Sequence, residues 1–138
     1  MMIIADAEQI LRDYFAAWVQ ELNLEIREIS GAGVTLRMPF DEKLHRTGGI
    51  VSGQALMALA DTSMVIALCA AKGAFLPVTT VDMTTTFMRP AVNAAVLAES
   101  VILRQGRTMA FCQTRLLMDS PQRQLVANAV GTYAILQA

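Results

Sequence analysis

Hydrophobic positions along this chain follow two different periods, and the change falls near Pro77. Over residues 5–22, Ile10, Leu11, Tyr14, Phe15 and Trp18 return at helical spacing with Glu8, Arg12, Asp13 and Gln20 between them, which predicts an amphipathic helix. Residues 24–29 and 34–39 read as two short strands about the turn Ser30-Gly31-Ala32-Gly33. A polar loop over 41–49 ends in Gly48-Gly49. Residues 52–72, rich in Ala, Leu and Met, predict a long helix that Gly73 stops. That helix is apolar almost all round, so it should be buried on every side.

Beyond Pro77 the residues become Val, Thr, Ile and Leu with alternating character. Segments 79–89, 94–104, 109–118 and 124–136 read as strands, separated by Arg89-Pro90, Gln105-Gly106 and Asp119-Ser120-Pro121. Strict alternation in the first puts Val81, Met83 and Phe87 on one face and Thr80, Asp82, Thr84 and Thr86 on the other. Helix, two strands, long helix and four strands in succession predict an α+β fold in which one antiparallel sheet wraps the central helix. Residues 1–138 read as a single domain, with no linker or repeat.

Composition sharpens this. Hydrophobic residues make up 54% of the chain and charged residues 17%, more apolar than a soluble domain of this size needs for its own core. A second subunit covering part of that surface is the expected remedy. Eleven basic residues against twelve acidic ones, with no basic stripe, exclude a nucleic-acid partner. A lone histidine, His45, cannot build a multi-histidine metal site, so no metal is expected. Cys69 and Cys112 lie in apolar contexts as unpaired thiols, and the N-terminus lacks a basic region, so a cytoplasmic location is expected. Residues 50–71 are long enough to cross a membrane, but Asp61 in mid-span would cost roughly 2.5–3.5 kcal/mol, so no membrane association is expected.

Asp61 is also the residue most informative about chemistry. A carboxylate in a buried helix requires either a partner or a function. Pairing with a basic group or capping of a neighbouring backbone is the structural reading; a cleft-lining general base or nucleophile is the functional one. The entry to the same helix, Ser52-Gly53-Gln54, offers free N–H groups for a developing oxyanion, with Gly53 allowing close approach. Read structurally, Ser52 is an ordinary N-cap. Gln54 and Asp61 share a helix face about 10 Å apart along the axis, too far to meet one carbonyl from the same chain. Two antiparallel helices across a two-fold axis would bring Gly53 of one protomer near Asp61 of the other.

The run from Gly49 to Thr62, GIVSGQALMALADT, resembles the helix signature N-x-x-G-x-x-H-G-G-x-x-x-x-L-x-D of PaaI-like hotdog thioesterases. Thr80–Ala91 resembles that family's following strand and Arg104–Phe111 its next hairpin. The resemblance implies a hotdog fold and hydrolysis of an acyl-CoA thioester, with no cofactor beyond the CoA carried by the substrate. It implies Asp61 as general base or nucleophile, the Gly53 amide as carbonyl polariser, and Thr80 as a residue that places water or substrate. Arg104 and Arg107 fall where the family binds CoA phosphates. The assembly implied is a homodimer, often a dimer of dimers. The family's histidine and asparagine are Ser52 and Arg46 here. Ser52 donates a hydrogen bond without a charge; Arg46 is a candidate for a substrate carboxylate or phosphate, and Gln54 for orienting the carbonyl. A non-catalytic acyl-CoA-binding module, a purely structural oligomer, and a hydratase built on Asp41 and His45 are the alternatives. The hydratase spacing, however, is one residue longer than Asp41 to His45.

Overall fold

The computed structural model describes residues 1–136. The predicted N-terminal helix is divided: α1 spans Ile4–Tyr14 and α2 spans Ala17–Gln20, with Phe15 and Ala16 extended between them. No Pro or Gly breaks it. Instead Gln20 Nε2 donates to the Leu11 carbonyl at 2.6 Å and the Phe15 carbonyl at 3.4 Å, meeting acceptors that the end of α1 leaves unpaired. Ala7, Ile10 and Leu11 are buried, whereas Tyr14 and Trp18 are exposed, Tyr14 stacking on Phe75 at 3.7 Å between ring centroids.

Next come β1 (Glu25–Ser30) and β2 (Gly33–Met38). The polar loop holds more structure than its composition predicted. A 3-10 turn, Glu42–Leu44, is capped by Asp41, and the short strands β3 (His45–Arg46) and β4 (Ile50–Val51) pair around Gly48 and Gly49, both at positive φ. The central helix α3 spans Gly53–Lys72. Ser52 Oγ accepts from the Ala55 amide at 3.2 Å, and Gly73 at φ +82° closes the helix, its amide donating to the Cys69 carbonyl at 2.9 Å.

Four long strands follow: β5 (Val78–Phe87), β6 (Val96–Gln105), β7 (Met109–Met118) and β8 (Leu125–Ile135). The order β1-β2-β6-β7-β8-β5 forms one antiparallel six-stranded sheet that wraps α3, so the α+β hotdog architecture expected from the sequence is the observed one. Leu59, Met64, Ile66 and Leu68 of α3 meet Leu36, Val96, Leu116 and Val126 from the sheet, all with essentially no exposure. The helix is long and apolar enough to span a bilayer, but most of it is buried in this core.

Burial on every side does not hold. Gln54, Met57, Ala58, Asp61 and Val65 stay partly or fully exposed, and their spacing makes them one stripe along α3. At Asp61 that stripe faces β5, an edge strand ten residues long and mostly exposed, and at Gln54 it faces α2 and the 3-10 turn.

At Gly73 an added Cβ meets nothing within 4 Å, so the left-handed backbone alone opposes a side chain there. Gly73→Ala should therefore cost about 1 kcal/mol, read in thermal unfolding as a drop of about 3–5 °C for a domain of this size.

Candidate active site

Asp61 is half-buried on the uncovered stripe of α3. Its Oδ1 accepts from the Tyr133 hydroxyl at 2.7 Å and from the Thr80 hydroxyl at 3.3 Å. No cation pairs with it among the described residues, so the structural reading of a basic neighbour fails. Two neutral donors compensate part of the lost hydration and leave the charge on the carboxylate.

A β-bulge brings Thr80 to this point. The β5–β8 ladder pairs Thr80 with Tyr133 and then Asp82 with Thr132, leaving Val81 as the extra residue. Thr80 therefore shares the helix-facing side with Met83, Thr85 and Phe87, not the outer side with Asp82, Thr84 and Thr86 as strict alternation predicted. Tyr133 is the Asp61 partner that sequence reasoning missed. It follows Ala127, Ala129 and Gly131 among the inward positions of β8, and a phenol among small buried residues needs a polar partner. Burial and the adjacent Asp61 carboxylate push its hydroxyl far above the ordinary phenol range, so it stays protonated and donates to Asp61.

A cleft of about 320 Å³ opens beside Asp61 and Thr80, walled by Tyr14, Phe15, Trp18, Val65 and Phe75. Gly53 lies in a different cleft, of about 360 Å³, with Arg46, Phe87 and Arg89. The Phe87 ring packs over Gly53: a Cβ there would stand 3.4 Å from Cζ. β5 therefore runs past α3 with Thr80 at the Asp61 end and Phe87 at the Gly53 end. Eight residues of helix separate Asp61 from Gly53, about 12 Å of rise. Within one chain the two groups do not share a cavity.

The remaining predicted residues divide. Arg46 does join Gly53. Ser52 and Gln54 open instead into a third cleft, of about 330 Å³, with Trp18, Glu21 and Lys43. Ser52 is occupied as the helix cap, and Gln54 is not brought to the Gly53 side. Arg104 and Arg107 are exposed at the β6–β7 turn. The ladders Gln105–Ala110–Tyr133 and Thr80–Tyr133 put that turn at the Asp61 end of the sheet. Among the described residues no carboxylate pairs with Arg46, Arg89, Arg104 or Arg107. Asp41 caps the 3-10 turn and His45 packs edge-on against Phe40 at 4.7 Å, and among the described residues no hydrogen bond joins the two side chains as a hydratase pair.

Residues 48–123 match the thioesterase superfamily. The chain belongs to that superfamily. A candidate esterase of Thermoplasma acidophilum is 28% identical over 127 residues, covering 91% of this chain and 94% of that protein. The crystal structure of zebrafish thioesterase superfamily member 2 is similar with a TM-score of 0.84 and 25% identity, covering 99% of this chain and all of that one. The Escherichia coli PaaI protein, from the phenylacetic acid degradation operon, shares the fold at a TM-score of 0.83 and 18% identity, over 97% and 93% of the two chains. Superfamily membership and fold together make this a hotdog thioester hydrolase that shares its fold with PaaI.

Neither cysteine belongs to the thioesterase site. Burial pushes the Cys112 thiol up to about 12 and raises that of Cys69, which accepts from the Leu76 amide at 3.4 Å. Because the folded thiols hold their protons, native protein at about pH 8 should consume almost no thiol reagent, and denatured protein should consume two equivalents.

Proposed function

We propose that this thioesterase hydrolyses an acyl-CoA to free acid and CoA, at a site assembled from two protomers. The observation that carries the reading is the Asp61 carboxylate, held by Tyr133 and Thr80 at the mouth of an apolar cleft with no cation to neutralise it among the described residues. Asp61 of one protomer acts as general base: it takes a proton from water as the water oxygen attacks the thioester carbonyl. The Gly53 amide of the other protomer donates to the oxygen as negative charge develops there. The carbon–sulfur bond then breaks, and the CoA thiolate leaves with a proton. Direct attack by Asp61, through an acyl–aspartyl anhydride that water hydrolyses, is the second course to the same products.

Two features support a shared site. A long, exposed edge strand such as β5 is a template for pairing with another chain. Antiparallel pairing of two β5 strands about their midpoint sets the Thr80 end of each against the Phe87 end of the other. Asp61 of one protomer then approaches Gly53 of its partner, closing the roughly 12 Å gap that a single helix leaves. The same pairing covers the exposed Val81 and Phe87 and the uncovered stripe of α3, which accounts for the surplus of apolar residues. In this arrangement the acyl group enters the cleft of Trp18, Val65 and Phe75. The unpaired Arg46 and Arg89 of one protomer, with Arg104 and Arg107 of the other, face the CoA phosphates. Cytoplasmic CoA metabolism suits a protein with unpaired buried thiols.

Asp61→Asn should keep the fold and lower kcat by roughly a hundredfold or more in a thiol-release assay over acyl- and aryl-CoAs. Wild-type protein that binds CoA esters and releases no thiol across that panel would point to the non-catalytic binding module instead. Co-expressed Gly53→Val and Asp61→Asn chains, each inactive alone, should regain activity, because every mixed dimer keeps one undamaged site. If the mixture stays inactive although mixed dimers form, the site lies within one chain.

A further inference from the structure

The Tyr133 hydroxyl lies outside the reaction as written, yet it makes the shortest contact to the reacting carboxylate. Among the described residues its one hydrogen bond goes to Asp61 Oδ1, at 2.7 Å. The ring is fully buried and fixed from several directions. Its backbone is held in the sheet between Ala110 and Thr80. Gly131, two residues earlier, leaves the space the ring fills: a Cβ there would stand 3.0 Å from Tyr133 Cε2 and 3.1 Å from Met64 Cε. A donor packed this way cannot rotate aside, and water cannot substitute for it. Thr80, at 3.3 Å and exposed, is a weaker donor to the same oxygen.

We infer that Tyr133 is the positioning residue of the thioesterase: it fixes Asp61 Oδ1 from below, so that Oδ2, free of protein partners among the described residues, is the oxygen that acts on water. This inference rests on Asp61 being the base. Fixing one oxygen removes the rotational freedom that a half-exposed aspartate otherwise keeps, and a near-attack geometry depends on that. Other groups facing the Tyr133 hydroxyl do not titrate against it in the working range. Cys112 from β7 has its thiol pushed up to about 12, β5 offers the uncharged Thr80, Met83 and Thr85, and Asp82 faces the outer side of the sheet.

Tyr133→Phe keeps the ring and deletes the donor. It should lower kcat roughly 10- to 100-fold with KM changed far less. A loss of packing alone would lower Tm without separating kcat from KM in this way. Gly131→Ala is the second variant, crowding the ring while keeping the hydroxyl; it should lower kcat in the same direction, and it carries the test if Tyr133→Phe does not fold. Asp61→Asn runs beside them. If Asp61→Asn is inactive while the folded variants keep the wild-type kcat and KM, the positioning role is overturned and the base survives. If Asp61→Asn retains turnover, the base is wrong and the positioning role falls with it.

Discussion

A twenty-residue apolar helix has to be covered, and one sheet of six strands covers it on all but one stripe. The rest of the molecule follows from that shortfall. An aspartate on the covered faces of α3 would lose its hydration among Leu, Met and Ile with nothing to replace it. On the uncovered stripe, Asp61 reaches a cleft on one side and borrows two hydroxyls from the sheet on the other. At Asp61 the stripe meets β5, the edge where the sheet ends. A second copy of the chain is the proposed surface that would complete both the covering of α3 and the sheet edge.

β5 links the two ends of α3. Thr80 at one end is within hydrogen-bonding distance of Asp61, and Phe87 at the other lies over Gly53. Without the bulge at Val81 the alternation would carry Thr80 to the outer face, and the carboxylate would have Tyr133 alone. One extra residue in an edge strand thus determines the donor count at the acid, at the cost of one local break in the ladder. Edge strands tolerate such breaks because only one side of the ladder is interrupted.

Signals that act locally were legible in the sequence. Ser52 and Gly73 bound α3 because a side-chain cap and a left-handed closing residue work within one turn. The long strands could be read from turn residues between β-rich segments, and β7 spans residues 109–118 as expected. Asp61 stood out through the cost of burying a charge, which composition alone reveals. What could not be read depends on contacts distant in sequence. The divided N-terminal helix is stabilised by Gln20 reaching back to Leu11, whereas its apolar spacing fits one continuous helix. Gln54 shares a face with Asp61 on a helical count, yet the packing of α2 and the 3-10 turn draws it into another cleft. Tyr133 lies 72 residues from Asp61, and only the sheet brings them together.

The departures at Ser52 and Arg46 fit this division between local and distant contacts. Ser52 has become an ordinary helix cap, and a cap leaves the next residue's amide free at the helix start. The donor at Gly53 belongs to the backbone, so changes in neighbouring side chains do not remove it. The carboxylate is supported by Thr80 of β5 and Tyr133 of β8, and among the described residues neither hydroxyl bonds to Ser52 or Arg46. A site whose electrophilic half is main chain and whose basic half is anchored in the sheet can lose its loop side chains and keep its reacting geometry. On this reading, side chains such as Arg46 and Arg89 are free to vary with the bound substrate, while Asp61, Thr80, Tyr133 and the backbone at Gly53 are fixed by the chemistry.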